Sequence, residues 1–136
     1  MFLKIDLQNT YHCIHIHEKN EWKTAFYTWY DYFEFLVIFF NLINASAIFQ
    51  VYINCALCEL VDNFCIIYLD DIFIFSRTEA EHLCHFKHVI EHLQCVKLYI
   101  NSKKCEFFKI EIEYLDFVID KKSIQMNLIC IKIVSE

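Results

Sequence analysis

The stretch Phe-Cys-Ile-Ile-Tyr-Leu-Asp-Asp-Ile-Phe-Ile-Phe, residues 64–75, decides the fold of this chain. Two apolar runs flank a short centre that carries adjacent carboxylates at Asp70 and Asp71. Such runs favour paired strands, so the sequence predicts a hairpin with both aspartates at its tip. Ionised carboxylates beside a sheet interior are costly unless a cation or another partner holds them. A divalent metal site is the simplest explanation for this pair.

A third acidic residue, Asp6, interrupts another apolar strand pattern at residues 3–7. If that strand lies beside the hairpin, two or three carboxylates converge, and their repulsion without metal raises at least one pKa. Magnesium prefers hard oxygen ligands and keeps positions open for water or substrate phosphates. Two such ions about 3.5–4 Å apart can activate a 3′ hydroxyl and stabilise leaving pyrophosphate, which is nucleotidyl transfer. Taken alone, the paired aspartates also fit an ordinary turn.

The composition limits the class of protein. The chain has 136 residues, 57% of them hydrophobic, and it lacks both Gly and Pro. This length predicts one domain or a piece of a larger one. The formal net charge of −6 argues against a surface that grips a phosphate backbone unaided. The eight cysteines are scattered and the first residues do not form a secretory signal, so we expect an intracellular, reducing compartment.

Residues 35–58 contain no charged side chain and are long enough to be a candidate membrane span. Polar side chains spread through the run argue against that interpretation, because each would need a partner within lipid. The favoured alternative is a strand over residues 32–38, a loop over 40–44 and a helix over about 45–61. The face of that helix predicted to pack inward consists of Ile48, Tyr52, Ala56 and Leu60.

Residues 78–81, Thr-Glu-Ala-Glu, have the form of a capping box and predict the start of a second helix. Shorter alternating pieces at residues 105–108 and 112–119 predict strands. The resulting order predicts an α+β fold in which an antiparallel sheet is covered by two helices. The apolar stripe expected on the second helix consists of Leu83, Phe86, Ile90 and Leu93.

Three other groups of residues allow a functional and a structural interpretation. Cys55 and Cys58 have the spacing of a metal or redox pair, but no second pair accompanies them, so buried structural cysteines are favoured. Aromatic residues around Trp22, Trp29 and Tyr30 can stack on bases, although core packing is the commoner use. Four histidines near helical spacing can bind a metal, but a solvated helix face is favoured; they are His82, His85, His88 and His92.

Six ordered segments together resemble the palm region of a reverse transcriptase, an RNA-directed DNA polymerase, from a gypsy-type LTR retrotransposon. The resemblance covers nearly the whole chain and its joint spacing is far more specific than the Tyr-Leu-Asp-Asp string alone. The segments are residues 4–12, 21–26, 32–36, 44–50, 68–76 and 103–107.

The resemblance implies a single partial reverse transcriptase domain over residues 1–136, with a palm-like sheet and part of the fingers over about 1–105 and the start of the thumb over about 106–136. It implies that Asp6 and Asp70 bind two Mg²⁺ ions, for which Mn²⁺ is a substitute, and that Asp71 supports the site electrostatically. Tyr11 corresponds to the aromatic residue that blocks the sugar 2′ position. Further substrate-binding positions implied are Phe40, Asn41, Gln50, Tyr68 and either Lys103 or Lys104.

The implied partners are an RNA or DNA template with its primer, deoxynucleoside triphosphates and the remainder of a retrotransposon polyprotein, without a membrane. The implied location is a cytoplasmic particle or the nucleus. The family also has most of the fingers upstream, and the rest of the thumb and usually a ribonuclease H domain downstream, so we expect this piece by itself to be inactive. A decayed, non-catalytic remnant or an interaction protein is the alternative, and a membrane protein is less favoured.

The chain departs from the family at turn positions. Strain of roughly 1–3 kcal/mol at each forced backbone would be large against a total stability of about 5–15 kcal/mol. Asp31 and Asn41 are expected to tolerate positive φ, whereas β-branched Thr10 is expected to fit poorly. The family has glycine at Thr10, Asp31, Asn41, Lys97, Asp116 and Ser123, and proline at Phe39, Ser46, Ser102 and Leu128.

Overall fold

The computed structural model describes residues 1–40 and 42–126, so Asn41 and Leu128 lie outside the described part of the chain. Its two α-helices are α1 (Ala45–Ala56) and α2 (Glu79–Cys95). Two short 3-10 helices lie at Tyr11–Cys13 and Glu21–Thr24. The strands are β1 (Phe2–Gln8), β2 (Phe26–Tyr27), β3 (Tyr32–Phe33), β4 (Cys65–Tyr68), β5 (Asp71–Phe75), β6 (Tyr99–Ile100), β7 (Glu106–Lys109), β8 (Glu111–Tyr114), β9 (Phe117–Asp120) and β10 (Ile124–Met126).

The central sheet has the strand order β4-β5-β1-β6, and β7 also pairs with β1. Every pairing in it is antiparallel. Smaller antiparallel sheets are formed by β8, β9 and β10 and by β2 with β3. The predicted α+β fold, an antiparallel sheet covered by two helices, is confirmed.

Alternation along β1 explains why the sheet has two different faces. Leu3, Ile5 and Leu7 are buried, and they belong to the main core together with buried residues of both helices. Phe2, Lys4 and Asp6 occupy the opposite face, because successive side chains of a strand point to opposite sides. A second, smaller core on that face joins Phe73 to Ile112 and Tyr114 of the β8 strand. Asp6 lies beyond this patch, near the end of β1.

The helix predicted over residues 45–61 ends at Ala56, and its expected inward face is wrong. The buried residues are Ala45, Phe49 and Ile53, followed after the helix by Leu57, while Ile48 is exposed. Leu60 is buried as expected, but it lies in the turn that follows the helix. Because nearly every position in this segment is apolar, periodicity alone does not distinguish one face from another.

The capping box predicted for α2 is confirmed. The Thr78 hydroxyl accepts from the Glu81 backbone N–H, and the Glu81 carboxylate accepts from the Thr78 backbone N–H. Of the predicted apolar stripe, Phe86, Ile90 and Leu93 pack in or against the main core, and Leu83 does not. His82 and Val89 are buried with the expected Leu93, whereas Leu83 is half exposed.

Two strand predictions needed correction. The strand expected over residues 32–38 is reduced to Tyr32–Phe33, which pairs with Phe26–Tyr27 in a small hairpin. The strand expected over residues 112–119 is two strands, β8 and β9, because the chain turns at Leu115 and Asp116. The strand predicted over residues 105–108 is found at Glu106–Lys109.

The favoured interpretations of two side-chain groups were wrong. Cys55 and Cys58 are exposed free thiols and not buried structural cysteines. Trp22, Trp29 and Tyr30 lie on the surface instead of in the core.

The solvated face expected for the four histidines is found in part. His88 is exposed as expected, whereas His82 is completely buried.

Within residues 1–40 and 42–126, eight non-glycine residues have positive φ, which is uncommon outside glycine. Lys97 and Asp116 are two of the positions where glycine was expected. Thr10 is not among them: its φ is −58°, so the poor fit expected for its β-branched side chain is wrong. The left-handed residue is its neighbour Asn9, a type that tolerates this conformation better.

No helix within residues 1–40 and 42–126 combines the length and the apolar character needed to cross a membrane.

Candidate active site

Strand pairing brings Asp6 and Asp71 to the same end of the central sheet. They are direct partners in the antiparallel register of β1 and β5, so their side chains lie on the same face. Asp70 precedes Asp71 in the β4–β5 turn, and its carbonyl accepts a hydrogen bond of 2.8 Å from the Leu7 backbone N–H. The expectation that the strand with Asp6 lies beside the hairpin is confirmed.

The Asp70 carboxyl lies in an environment that disfavours its charged form. Partial burial raises the pKa of its carboxyl above the ordinary value, and the negative charges of Asp6 and Asp71 act in the same direction. The Thr10 hydroxyl opposes this shift by donating a 2.7 Å hydrogen bond to Asp70 Oδ1, and the charge of Lys104 also lowers the pKa. The site therefore concentrates negative charge that a cation would relieve.

Two lysines balance the aspartates that face each other across the strands. Lys104 Nζ lies 3.5 Å from Asp6 Oδ2, and Lys4 Nζ lies 3.5 Å from Asp71 Oδ2. Tyr114 adds a hydrogen bond of 3.3 Å from its hydroxyl to the Asp71 backbone carbonyl. Burial raises the pKa of the Tyr114 phenol, and the nearby Asp71 charge acts with it, so the phenol stays protonated as a donor.

The donor set suits magnesium, although it does not form a three-ligand group. In the described part of the chain, no three His, Cys, Asp or Glu side chains are grouped so as to hold a metal ion. Asp6 and Asp71 each face a lysine at 3.5 Å and both lie beside Asp70, so all three carboxylates are candidate donors. One or two carboxylates completed by water and substrate phosphates is a common arrangement for Mg²⁺.

Gln50 contacts the turn that carries the aspartates. Its Oε1 accepts a 2.7 Å hydrogen bond from the Leu69 backbone N–H, and its Nε2 donates to the Ile67 carbonyl at 3.3 Å. Leu69 has a φ of 49°, so this amide side chain supports a turn that few non-glycine residues adopt.

Tyr11 is buried against α1, and its ring packs against the exposed ring of Phe40 at a tilted angle. The centroid of Phe40 lies 4.8 Å from that of Tyr11, and the centroid of Phe49 lies 5.6 Å away. The hydroxyls of Tyr11 and Ser46 share a hydrogen bond of 3.3 Å. Phe40 is 69% exposed. Tyr11 is therefore held rigidly, with Phe40 between it and solvent.

Of the remaining positions predicted to bind substrate, Tyr68 is 53% exposed and pairs in register with Asp71 at the end of the hairpin. Lys104 contacts Asp6, and Lys103 is exposed in the same turn. Sequence reasoning had left these two lysines undistinguished. Asn41 lies outside the described residues.

Sequence reasoning missed four residues of the site: Thr10, Lys4, Tyr114 and Ser46. Each acts through a partner at least 35 residues away in the chain. Lys4 is the one with a detectable signal, because it shares a face of β1 with Asp6 at a spacing of two. The other three depend on tertiary packing, for which the sequence carries no local pattern.

Comparison with known proteins identifies the family. The family model described as "Reverse transcriptase (RNA-dependent DNA polymerase)" matches residues 1–119. The Transposon Tf2-3 and Tf2-7 polyproteins of Schizosaccharomyces pombe (strain 972 / ATCC 24843) are 37% and 36% identical over 122 residues, which is 90% of this chain. The chain spans only 9% of the length of these relatives.

Solved structures support the same fold. The foamy viral protease-reverse transcriptase in complex with an RNA/DNA hybrid matches 92% of this chain and 17% of its own, with a TM-score of 0.83 and 23% identity. The same protein in complex with dsDNA matches 99% of this chain and 28% of its own, with a TM-score of 0.82. Because the family model covers most of the chain, the chain belongs to the reverse transcriptase (RNA-dependent DNA polymerase) family.

Proposed function

We propose that this chain is the palm of an RNA-directed DNA polymerase and contributes the carboxylates for transfer of a deoxynucleotide to a primer 3′ hydroxyl. The observation that carries the proposal is the register of β1 and β5, which aligns Asp6 with Asp71 beside the perturbed Asp70. In a chain of this family, such acidic residues at one sheet end serve two-metal nucleotidyl transfer.

In this proposal Asp6 and Asp70 supply the protein oxygens that bind two Mg²⁺ ions, and Mn²⁺ is an acceptable substitute. When bound, the ions would lower the barrier by activating the attacking hydroxyl and neutralising charge on the departing pyrophosphate. Asp71 shapes the electrostatic field of the site while Lys4 keeps its carboxylate in place.

The surrounding residues have proposed roles in substrate binding. Tyr11 limits access to the sugar 2′ position, since its ring is packed against Phe49 and tied to Ser46. Lys104, rather than Lys103, approaches the phosphates, because its ammonium already lies against Asp6. The other proposed contacts with nucleotide, template or primer are Phe40, Asn41, Gln50 and Tyr68.

The proposed partners are a primed RNA or DNA template and deoxynucleoside triphosphates. The foamy viral relatives were solved with an RNA/DNA hybrid and with dsDNA, which supports a nucleic-acid partner here. We place the palm at about residues 1–105 and the start of the thumb at about 106–136, within a longer polyprotein that functions inside the cell. The 136 residues by themselves are expected not to catalyse nucleotide incorporation.

A non-catalytic remnant is the second candidate, and the backbone outside the site favours it. Lys97 and Asp116 stand at two positions where glycine was expected, and they have φ values of 57° and 65° without the freedom of glycine. Left-handed backbone at a non-glycine residue costs roughly 1–2 kcal/mol. Each such position lowers the stability of the fold.

Primer extension distinguishes the two candidates. The chain is assayed alone and as a chimera in which residues 1–119 replace the matching segment of the Transposon Tf2-3 polyprotein. Polymerase function predicts Mg²⁺-dependent incorporation by the chimera and a loss of at least 100-fold in Asp70→Asn, since oriented ligands dominate such catalysis.

The matched control is Asp116→Asn, which removes a carboxylate from the β8–β9 turn outside the site. A folded chimera that incorporates nothing supports the remnant. Incorporation that survives Asp70→Asn contradicts the proposed role of the carboxylate.

A further inference from the structure

Thr10 is a buried hydroxyl residue whose side chain bonds to a proposed metal ligand. The residue is 2% exposed, and its Oγ1 donates to Asp70 Oδ1 at 2.7 Å, across 60 residues of chain. Hydrogen bonds to ionised carboxylates are shorter and roughly twice as strong as neutral ones. The contact is therefore strong enough to influence how Asp70 is held.

The backbone fixes Thr10 before any ligand binds. Asn9 turns the chain after β1 with a φ of 56°, and Thr10 then begins the 3-10 helix Tyr11–Cys13. The Thr10 carbonyl accepts from the Cys13 backbone N–H at 3.2 Å. β-Branching leaves the Thr10 side chain few accessible χ1 rotamers, and the 2.7 Å bond to Asp70 Oδ1 selects one of them.

We propose that Thr10 is a positioning residue that fixes the Asp70 carboxylate so that Oδ1 stays bonded to the hydroxyl and Oδ2 faces the cation. This inference rests on the proposed function, because it assumes that Asp70 binds metal. In this proposal Thr10 acts through Asp70 and not by contacting the metal or the substrate.

The role has a measurable consequence for metal affinity. Outer-shell partners of metal-binding carboxylates typically contribute 10–100-fold to affinity. Thr10→Val keeps the β-branched shape but removes the donor, so Asp70 loses its fixed orientation. Thr10→Ser keeps the donor and loses a methyl group. If Thr10 acts through packing, Thr10→Ser should weaken metal binding more than Thr10→Val. If Thr10 positions Asp70, Thr10→Val should weaken metal binding more than Thr10→Ser.

The test is a titration of the full 136-residue chain with Mn²⁺, in which the EPR signal of the free ion reports how much Mn²⁺ remains unbound. We expect Thr10→Val to bind Mn²⁺ at least tenfold more weakly than wild type and Thr10→Ser to stay within about threefold. Asp70→Asn is the reference for loss of the ligand itself. Circular dichroism checks folding, and Thr10→Ala replaces Thr10→Val if the latter does not fold.

The outcomes separate this inference from the proposed function. Wild-type affinity in Thr10→Val, with weakened binding in Asp70→Asn, overturns the role of Thr10 and leaves the metal site intact. Unchanged binding in Asp70→Asn, or no binding by wild type, overturns the metal site and the role of Thr10 with it.

A metal-free measurement tests the contact directly. In EDTA, the shift of the urea midpoint caused by Thr10→Val is compared in wild-type and Asp70→Ala backgrounds. A coupled pair gives a clearly smaller shift in the Asp70→Ala background, whereas equal shifts contradict the contact.

Discussion

At the scale of single residues, the site depends on side chains that hold other side chains. Gln50 shows this most clearly, because its amide oxygen bonds to Leu69 in the turn before Asp70 and its amide nitrogen bonds to Ile67 in β4. The Leu69 N–H has no strand partner of its own at this turn, and a partly buried donor without an acceptor costs about 1–3 kcal/mol. A residue assigned to substrate binding from sequence is thus also a structural support.

Gln50→Ala is expected to lower the free energy of unfolding by about 1–3 kcal/mol, because it removes the acceptor for the Leu69 N–H. Urea denaturation followed by circular dichroism measures the change. Asn54→Ala is the matched control, since it removes only the exposed bond to Gln50 Nε2 and should cost less than about 0.5 kcal/mol. Equal losses of unfolding free energy in the two variants would contradict the role of Gln50 in supporting the turn.

At the scale of elements, α2 ends in a motif that ordinarily uses glycine. The Leu98 N–H bonds to the Leu93 carbonyl at 3.0 Å, and the Lys97 N–H bonds to the Gln94 carbonyl at 3.1 Å. These two bonds define a Schellman motif whose left-handed position is Lys97, with a φ of 57°. Buried Leu93 and Leu98 hold the end of the helix in the core despite the strain.

Lys97→Gly is expected to stabilise the protein by about 0.5–1 kcal/mol. The left-handed conformation costs a non-glycine residue roughly 1–2 kcal/mol, and glycine avoids this cost. Glycine also loses more backbone entropy on folding, which offsets about 0.5–1 kcal/mol of the stabilisation. The urea midpoint reports the change. Lys97→Ala keeps the Cβ atom and should show no such gain; a destabilised glycine variant would refute the strain argument.

The same elements show what the sequence could predict. The capping box of α2 is local, because all its partners lie within three residues, and it was found where expected. The three aspartates were found because charge inside apolar strands is conspicuous. The buried face of α1 was not predicted correctly, because the sequence of an almost uniformly apolar helix does not indicate which side packs inward. Thr10 could not be found either, because its contact depends on the β1–β5 register and on the turn at Asn9.

At the scale of the whole molecule, the end of the sheet opposite the aspartates holds a buried polar cluster. Ser76 Oγ lies 3.0 Å from His82 Nδ1 and 2.7 Å from His85 Nδ1. His85 stacks on Phe64 with ring centroids 3.8 Å apart. The His82 Nε2 atom is buried and has no partner among the described residues. The Ser76 carbonyl accepts a 2.8 Å hydrogen bond from the Met1 ammonium, so Ser76 connects α2 with the end of β5 and with the N-terminus.

This cluster predicts that the fold loses stability in mild acid. Burial lowers the pKa of His82 below 6.5, and the positive charges of the Met1 ammonium and of His85 lower it further. The unfolded chain therefore binds a proton more readily than the folded one as the pH falls below about 6.5. Stability is fully retained above that pH and declines as the pH drops toward the lower pKa of the folded state.

Urea unfolding between pH 7.5 and pH 5 measures this decline, and His82→Gln is expected to flatten it because glutamine does not titrate. Taking the difference between variant and wild type cancels the titrating groups that do not interact with His82, including Asp70, whose raised pKa acts with the opposite sign at lower pH. His88→Gln, on the exposed side of the same helix, should leave the pH dependence unchanged. If the free energy of unfolding falls with pH at the same slope in wild type and in His82→Gln, a group other than His82 causes the loss of stability.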